Sequence, residues 1–224
     1  MVDQQHTRIP QLGLLIVILC SVLVAFVAYP RMPERMGSHW NAQGIVDGYL
    51  SRFWGVFTLP LITLFLGVLF ILIPRFDPKG KNIEEFRNYF EGFGLVIGLF
   101  LLYLYILTLL WNVGVQIHLL PLLAPAFGVL YFYIGILLEH SLMNWSIGIR
   151  TPWTLSSDSV WKKTHKFGGL LFKIAGVIAF LGYFFSAYTL LLILAPIILF
   201  AFLTIVYSYR EYQRENGTKS HKNN

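Results

Sequence analysis

Leu190-Leu191-Leu192-Ile193-Leu194-Ala195-Pro196-Ile197-Ile198-Leu199-Phe200-Ala201-Phe202-Leu203-Thr204-Ile205-Val206-Tyr207 carries no charge from end to end. A helix over this stretch, at 1.5 Å rise per residue, covers about 27 Å of the ~30 Å of hydrocarbon in a bilayer. A barrel strand would be half as long and would alternate apolar with polar side chains, which this stretch does not do. Lipid offers the backbone no hydrogen-bond partners, so a helix is the economical way to satisfy it. Working outward, residues 12–29, 53–73, 93–111, 121–138 and 167–185 read the same way. The predicted fold is an all-α polytopic membrane helix bundle with six transmembrane helices. Of the 224 residues, 56% are hydrophobic and only 12% are charged, far below the charge content of a soluble domain. We expect one membrane domain over residues 1–209 and a polar cytoplasmic tail over 210–224.

The first run is read as a retained helix and not as a signal peptide. It is longer than an h-region, no small-residue cleavage pattern follows it, and Pro30, Arg31 and Pro33 end it as a loop would. Cys20 is the single cysteine, which excludes an internal disulfide, and it reads as inert packing inside the first helix. Lysine and arginine set the orientation. One side of the alternating spans collects Arg8, the 75–87 cluster, the 150–166 cluster and the basic residues of the tail, against Arg31, Arg35 and Arg52 on the other. Both termini are therefore expected in the cytoplasm and loop 30–52 outside. The net charge of +6 is explained by a basic rim beside anionic lipid. No direct nucleic acid binding is expected.

Gly94 and Gly98, and Gly169 and Gly176, are spaced to let helices approach closely, and packing is the expected role. Trp111, Trp54, Tyr29, Tyr207 and Tyr209 fall where spans meet water and read as interfacial anchors. Glu139 ends the fourth span, where the helix dipole disfavours a carboxylate, so it needs a partner. Lys173, about 9 Å inside the fifth helix, or Arg150 is the natural counter-ion.

Two long polar stretches hold whatever specific chemistry the chain has. In loop 30–52, prolines stiffen the start while Gln43-Gly44 and Asp47-Gly48 mark two turns, predicting a compact folded element. His39, Asn41 and Asp47 can converge on a metal or a bound peptide, or bond the loop's own backbone. Metal would need a third donor, and only His118 is available on that side, so neither a metal nor another cofactor is expected. In loop 143–166, Arg150-Thr151-Pro152 should be extended because proline disfavours helix before it. Ser156 or Ser157 can cap a short helix with Trp161, Thr164 and His165 on one face, a surface helix feeding the fifth span. Arg150 beside the membrane is suited to tie several backbone carbonyls, or the Glu139 carboxylate, in a fixed fork.

These loops also carry a resemblance. Pro33, His39-Trp40-Asn41, Gly44 and Asp47-Gly48 resemble the amino-terminal module of uncharacterised function that opens many members of the SdpI family. Asn144, Gly148-Ile149-Arg150-Thr151-Pro152-Trp153-Thr154-Leu155, Ser157, Trp161, His165 and Gly168 are similar to that family's second signature in order and spacing. With six spans the resemblance covers nearly the whole chain. It implies a non-enzymatic immunity protein of the bacterial cytoplasmic membrane, protecting against a secreted, membrane-active peptide toxin. It also implies a second task, sensing toxin and holding a cytoplasmic transcriptional repressor at the membrane. On that reading His39, Trp40, Asn41 and Asp47 are toxin-recognition candidates. Glu139, Asn144, Arg150, Thr151, Pro152, Trp153, Trp161, His165 and Lys173 are structural or signalling candidates.

Two other classes compete. Two three-helix halves of opposite orientation, each with its long loop between its first two helices, fit a small transporter or exporter, but no carboxylate lies near mid-membrane. A membrane enzyme would draw on Glu139, His140, Asp158 and His165. The first two project in different directions on a helix, and no nucleophile–base motif or phosphate loop accompanies them.

Overall fold

A computed structural model describes residues 8–222. Six of its helices are long and apolar enough to cross a membrane. They are α1 (Ile9–Ala28), α2 (Arg52–Phe76), α4 (Arg87–Asn112), α5 (Leu119–His140), α7 (Asp158–Leu181) and α8 (Thr189–Lys222). The short helices α3 (Gly80–Glu85) and α6 (Pro152–Ser156) lie in the connections. Pro60, Pro125 and Pro196 sit inside spanning helices, where neighbouring helices can compensate the freed backbone groups. Large side chains such as Leu15, Phe65 and Phe202 are exposed along the outside, the surface that lipid covers in a multipass membrane protein.

The six helices form two triplets. Helices α1, α2 and α4 pack together, as do α5, α7 and α8, and the α4–α5 contact joins the triplets. The seam between α5 and α7 is built on glycine. A Cβ on Gly176 would lie 2.6 Å from the Gly128 carbonyl oxygen, and one on Gly128 would lie 2.9 Å from that of Gly176. Two turns away, Gly135 and Gly169 make the same reciprocal approach at 2.5 and 2.7 Å. Gly94 and Gly98 receive Phe70 and Leu14 in the same manner. Small residues thus set the helix spacing throughout, as lipid-embedded packing requires.

Several boundaries differ from the apolar runs. Helix α4 begins at Arg87, six residues before its apolar run, because Arg87 is held by Glu84 and Glu91 at 2.7 and 2.5 Å. Helix α7 begins at Asp158, so the expected surface helix is not a separate element. The Ser157 side chain accepts from the Val160 N–H and caps one continuous helix whose first turns bury Val160, Trp161, Thr164 and His165 against protein. Helix α8 continues as helix beyond its apolar run. Its 34 residues reach about 51 Å, some 20 Å more than the hydrocarbon needs. The extension is tied by Lys163–Glu211 at 2.9 Å and Ser157–Glu215 at 2.6 Å. Asn223 and Asn224 of the expected tail lie outside the described residues, as does 1–7.

The compact element between α1 and α2 is a β-hairpin of β1 (Arg35–Trp40) and β2 (Val46–Ser51), paired antiparallel. Its core is Met32 and Met36, buried on Ala25, Val56, Tyr105 and Leu109. Because the spans alternate in direction, the hairpin and the α5–α7 connection occupy opposite ends of the bundle.

Candidate functional site

At the hairpin end, one turn forms and the second does not. The Asn41 carboxamide oxygen accepts from the Gln43 and Ile45 N–H groups at 3.0 Å each, and Gly44 takes φ 75° to close the turn. Asp47-Gly48, expected as a turn, instead lies within β2. The register is irregular around it: His39 stands opposite Gly48, and Trp40 opposite Val46. A Cβ on Gly48 would lie 2.8 Å from that of His39, so this glycine makes room for the histidine across the ladder.

The four outer candidates divide into two kinds. Asn41 is consumed by its own turn, and Trp40 meets Trp111 edge to face at 5.6 Å. These two hold the hairpin. His39 and Asp47 pair through Nδ1 and Oδ1 at 2.5 Å with side chains 71% and 46% exposed, and they form an exposed polar ridge. Among the described residues no group of three or more histidine, cysteine or acidic side chains is arranged to hold a metal. His118 instead precedes α5 as its N-cap.

The hairpin is fixed to the bundle by a residue the sequence reading passed over. Asn112, the last residue of α4, accepts the Gly37 N–H at 2.8 Å and donates to the Gly37 carbonyl at 3.0 Å. Its carboxamide thus acts as one more residue on the edge of β1. Trp111, expected as a lipid anchor, is half-buried and covers Gly37.

At the opposite, basic end the motif residues do converge. The His165 imidazole donates from Nδ1 to the Trp161 carbonyl at 2.9 Å and accepts the Ile149 N–H on Nε2 at 2.9 Å, which assigns the neutral Nδ1–H tautomer. Trp161 stacks on His165 at 3.9 Å, and its Nε1 donates to the Ser141 carbonyl at 2.9 Å. Gly148 has φ 129°, and a Cβ there would run into His165 Nε2. Asn144 is fully buried, its side-chain oxygen accepting from Ser146 and Ile147 N–H and its amide donating to the Leu142 carbonyl.

Thr151 is extended before Pro152, as expected, and forms a reciprocal cap with Thr154 that starts α6. The Thr151 hydroxyl meets Ser208 at 3.2 Å and Trp153 meets the Tyr209 ring at 5.1 Å, which joins the motif to α8. Arg150 departs from expectation. Its guanidinium is exposed and donates to the Trp145 carbonyl, with no second carbonyl and no Glu139 among its described partners. The counter-ion of Glu139 is Lys173, at 2.6 Å between side chains 27% and 26% exposed. His140, next to Glu139, turns the other way and stacks on Tyr89 at 3.7 Å.

The anchor of this loop is Asp77, which the sequence reading also missed. Its Oδ1 accepts the Lys79 N–H at 2.7 Å, while Oδ2 accepts the Trp145 N–H at 3.0 Å and the Ser146 hydroxyl at 2.5 Å. Asn82 adds a bond to the Met143 carbonyl at 2.6 Å. The α2–α4 connection is thereby pinned to the motif loop of the other triplet.

These two ends coincide with two known families. Residues 142–208 match the SdpI/YfhL protein family, taking in the motif loop, α6, α7 and the apolar part of α8. Residues 16–64 match a domain of unknown function (DUF1648), taking in most of α1, the hairpin and the first half of α2. Immunity protein SdpI of Bacillus subtilis (strain 168) is 25% identical over 206 residues, which is 91% of this chain and 97% of that protein. No solved structure matches the chain. With one match at each end of the bundle and a relative aligned along most of its length, the chain is a multipass membrane protein similar to the SdpI/YfhL protein family.

Proposed function

We propose that this protein is a non-enzymatic immunity protein of the bacterial cytoplasmic membrane, protecting against a secreted, membrane-active peptide toxin. The observation that carries this reading is the similarity to an immunity protein along 91% of the chain, so that both ends of the bundle are shared and not one module alone. In the proposed orientation both termini and the basic rim face the cytoplasm, which directs the hairpin outward. The exposed His39–Asp47 ridge is then the recognition site, reached by toxin without crossing the bilayer. The pinned basic-end loop supports the bundle and offers a cytoplasmic face for the second task, sensing toxin and holding a repressor.

The test is protection of toxin-sensitive bacteria challenged with the relative's peptide toxin, beside an empty vector. Wild type should protect. His39→Ala with Asp47→Ala should remove most of that protection at unchanged abundance and melting temperature, because neither side chain carries the hairpin's core. A folded double variant that protects fully would reject the ridge, and equal killing with vector and wild type would reject the immunity reading.

A further inference from the structure

On the basic-end side of the first triplet, a cleft of about 710 Å³ opens between α1 and α2, within the ~300–1,000 Å³ usual for ligand sites. Its walls are apolar, with Leu15 and Ile18 on α1 facing Leu64 and Val68 on α2. Its rim is open to the bilayer, since Leu12, Leu15 and Ile71 are 57%, 50% and 61% exposed. From Leu64 to Arg75 the cleft runs along α2 for about 16 Å, which is close to half of the ~30 Å hydrocarbon thickness. That is the depth of one leaflet.

The mouth is charged, and its charges are unevenly satisfied. Arg87 takes both carboxylates there, Glu84 at 2.7 Å and Glu91 at 2.5 Å, and Gln11 also donates to Glu91 at 2.5 Å. Arg8 and Arg75 line the same mouth and make no ion pair or side-chain hydrogen bond among the described residues. Two free guanidiniums above an acyl-deep apolar slot match a phosphate carried on a hydrocarbon chain, because the planar fork suits phosphate and basic pockets between spans suit anionic headgroups.

We propose that this cleft holds one anionic phospholipid of the adjacent leaflet, phosphate at Arg8 and Arg75, one acyl chain between α1 and α2. The site is independent of the hairpin ridge and does not rest on the immunity reading. Its occupant fills the gap between α1 and α2 at this end, where Gly67 lets Ile18 come near: a Cβ on Gly67 would lie 2.6 Å from Ile18 Cδ1.

The full chain in detergent, titrated with dioleoyl phosphatidylglycerol, dioleoyl phosphatidylcholine, dihexanoyl phosphatidylglycerol or inorganic phosphate, is read by native mass spectrometry. One phosphatidylglycerol should be retained about five-fold or more better than phosphatidylcholine per arginine engaged. Arg75→Gln should cut that preference about five-fold and Arg8→Gln with Arg75→Gln should abolish it, while Arg35→Gln, on the hairpin at the opposite end of the bundle, should keep it. Leu15→Trp, which fills the slot from α1 and leaves the arginines alone, should lower retention of both long-chain lipids. Melting temperatures identify misfolded variants, and either cleft variant suffices as the test. Equal retention of the two headgroups, or a preference that survives the double arginine variant in folded protein, overturns the proposal. Binding of phosphate or the short-chain lipid as tightly as the dioleoyl lipid overturns the acyl slot.

Discussion

Replacing Asp77 by asparagine should cost more stability than any change at Arg150, although only Arg150 belongs to the sequence motif. Asp77 is 9% exposed and accepts three bonds, one on Oδ1 and two on Oδ2. Asparagine keeps the shape but has a single acceptor oxygen. Turned toward Trp145 and Ser146, it leaves its NH2 facing the Lys79 N–H, donor against donor. One charge-assisted bond, worth about 1.5–3 kcal/mol, is then lost outright and two become neutral bonds of roughly half that strength. The sum is about 3–6 kcal/mol, which for a chain of this size lowers the melting temperature by roughly 6–24 °C. The exposed Arg150 guanidinium with one carbonyl partner is worth less than about 1 kcal/mol, so Arg150→Lys and Arg150→Ala should each shift melting by no more than ~3 °C. Tryptophan fluorescence during thermal unfolding in mild detergent measures all three. If Asp77→Asn melts within about 1 °C of wild type, or no lower than Arg150→Ala, the aspartate is not the pin of the loop.

Glu139→Gln or Lys173→Met alone should lower stability by about 1–2 kcal/mol, and the double variant should recover most of it, since removing both partners leaves no unpaired charge; additive losses would show that the pair is not coupled. Gly176→Leu should separate α5 from α7 and cost on the order of 3 kcal/mol or more, read as loss of folded monomer in detergent. In a Cys20→Ala background, cysteines at the exposed Ser38 and Ser159 should react oppositely with an impermeant thiol reagent on intact cells, and labelling at Ser159 alone would invert the orientation. His165→Ala should loosen the motif loop, seen as faster amide exchange at Ile149, whose N–H loses its acceptor; unchanged exchange would remove His165 from the loop's support.

The bundle was legible because lipid imposes one demand, a continuous apolar helix, that sequence alone displays. Helix ends were less legible, because at the basic end they depend on tertiary partners: α4 starts where Glu84 and Glu91 hold Arg87, and α7 starts where Trp161 and His165 are buried by loop 143–150. The hairpin's turn could be read from Asn41 and Gly44, whereas Asp47-Gly48 imitates a turn and is a ladder irregularity made for His39. Asp77 and Asn112 were invisible for a common reason. Each is one polar residue at a helix end, and its partners lie 68 and 75 positions away in sequence. The Glu139 partner was narrowed to Lys173 or Arg150 by helix direction, and only packing chose between them.

The reciprocal glycine contacts of α5 and α7 carry a mechanical consequence. Two approaches of backbone to backbone, spaced two turns apart, act like two keys in one slot. Turning either helix by a single residue, about 100°, would drive a side chain into the other's carbonyls at both points at once. The pair therefore moves only as one body. Rearrangement of the triplets against each other falls to the α4–α5 joint between them, and that joint is clasped at the basic end by Asp77 and its grip on the motif loop. Movement of one triplet against the other is thus confined to a single seam with its latch at one end.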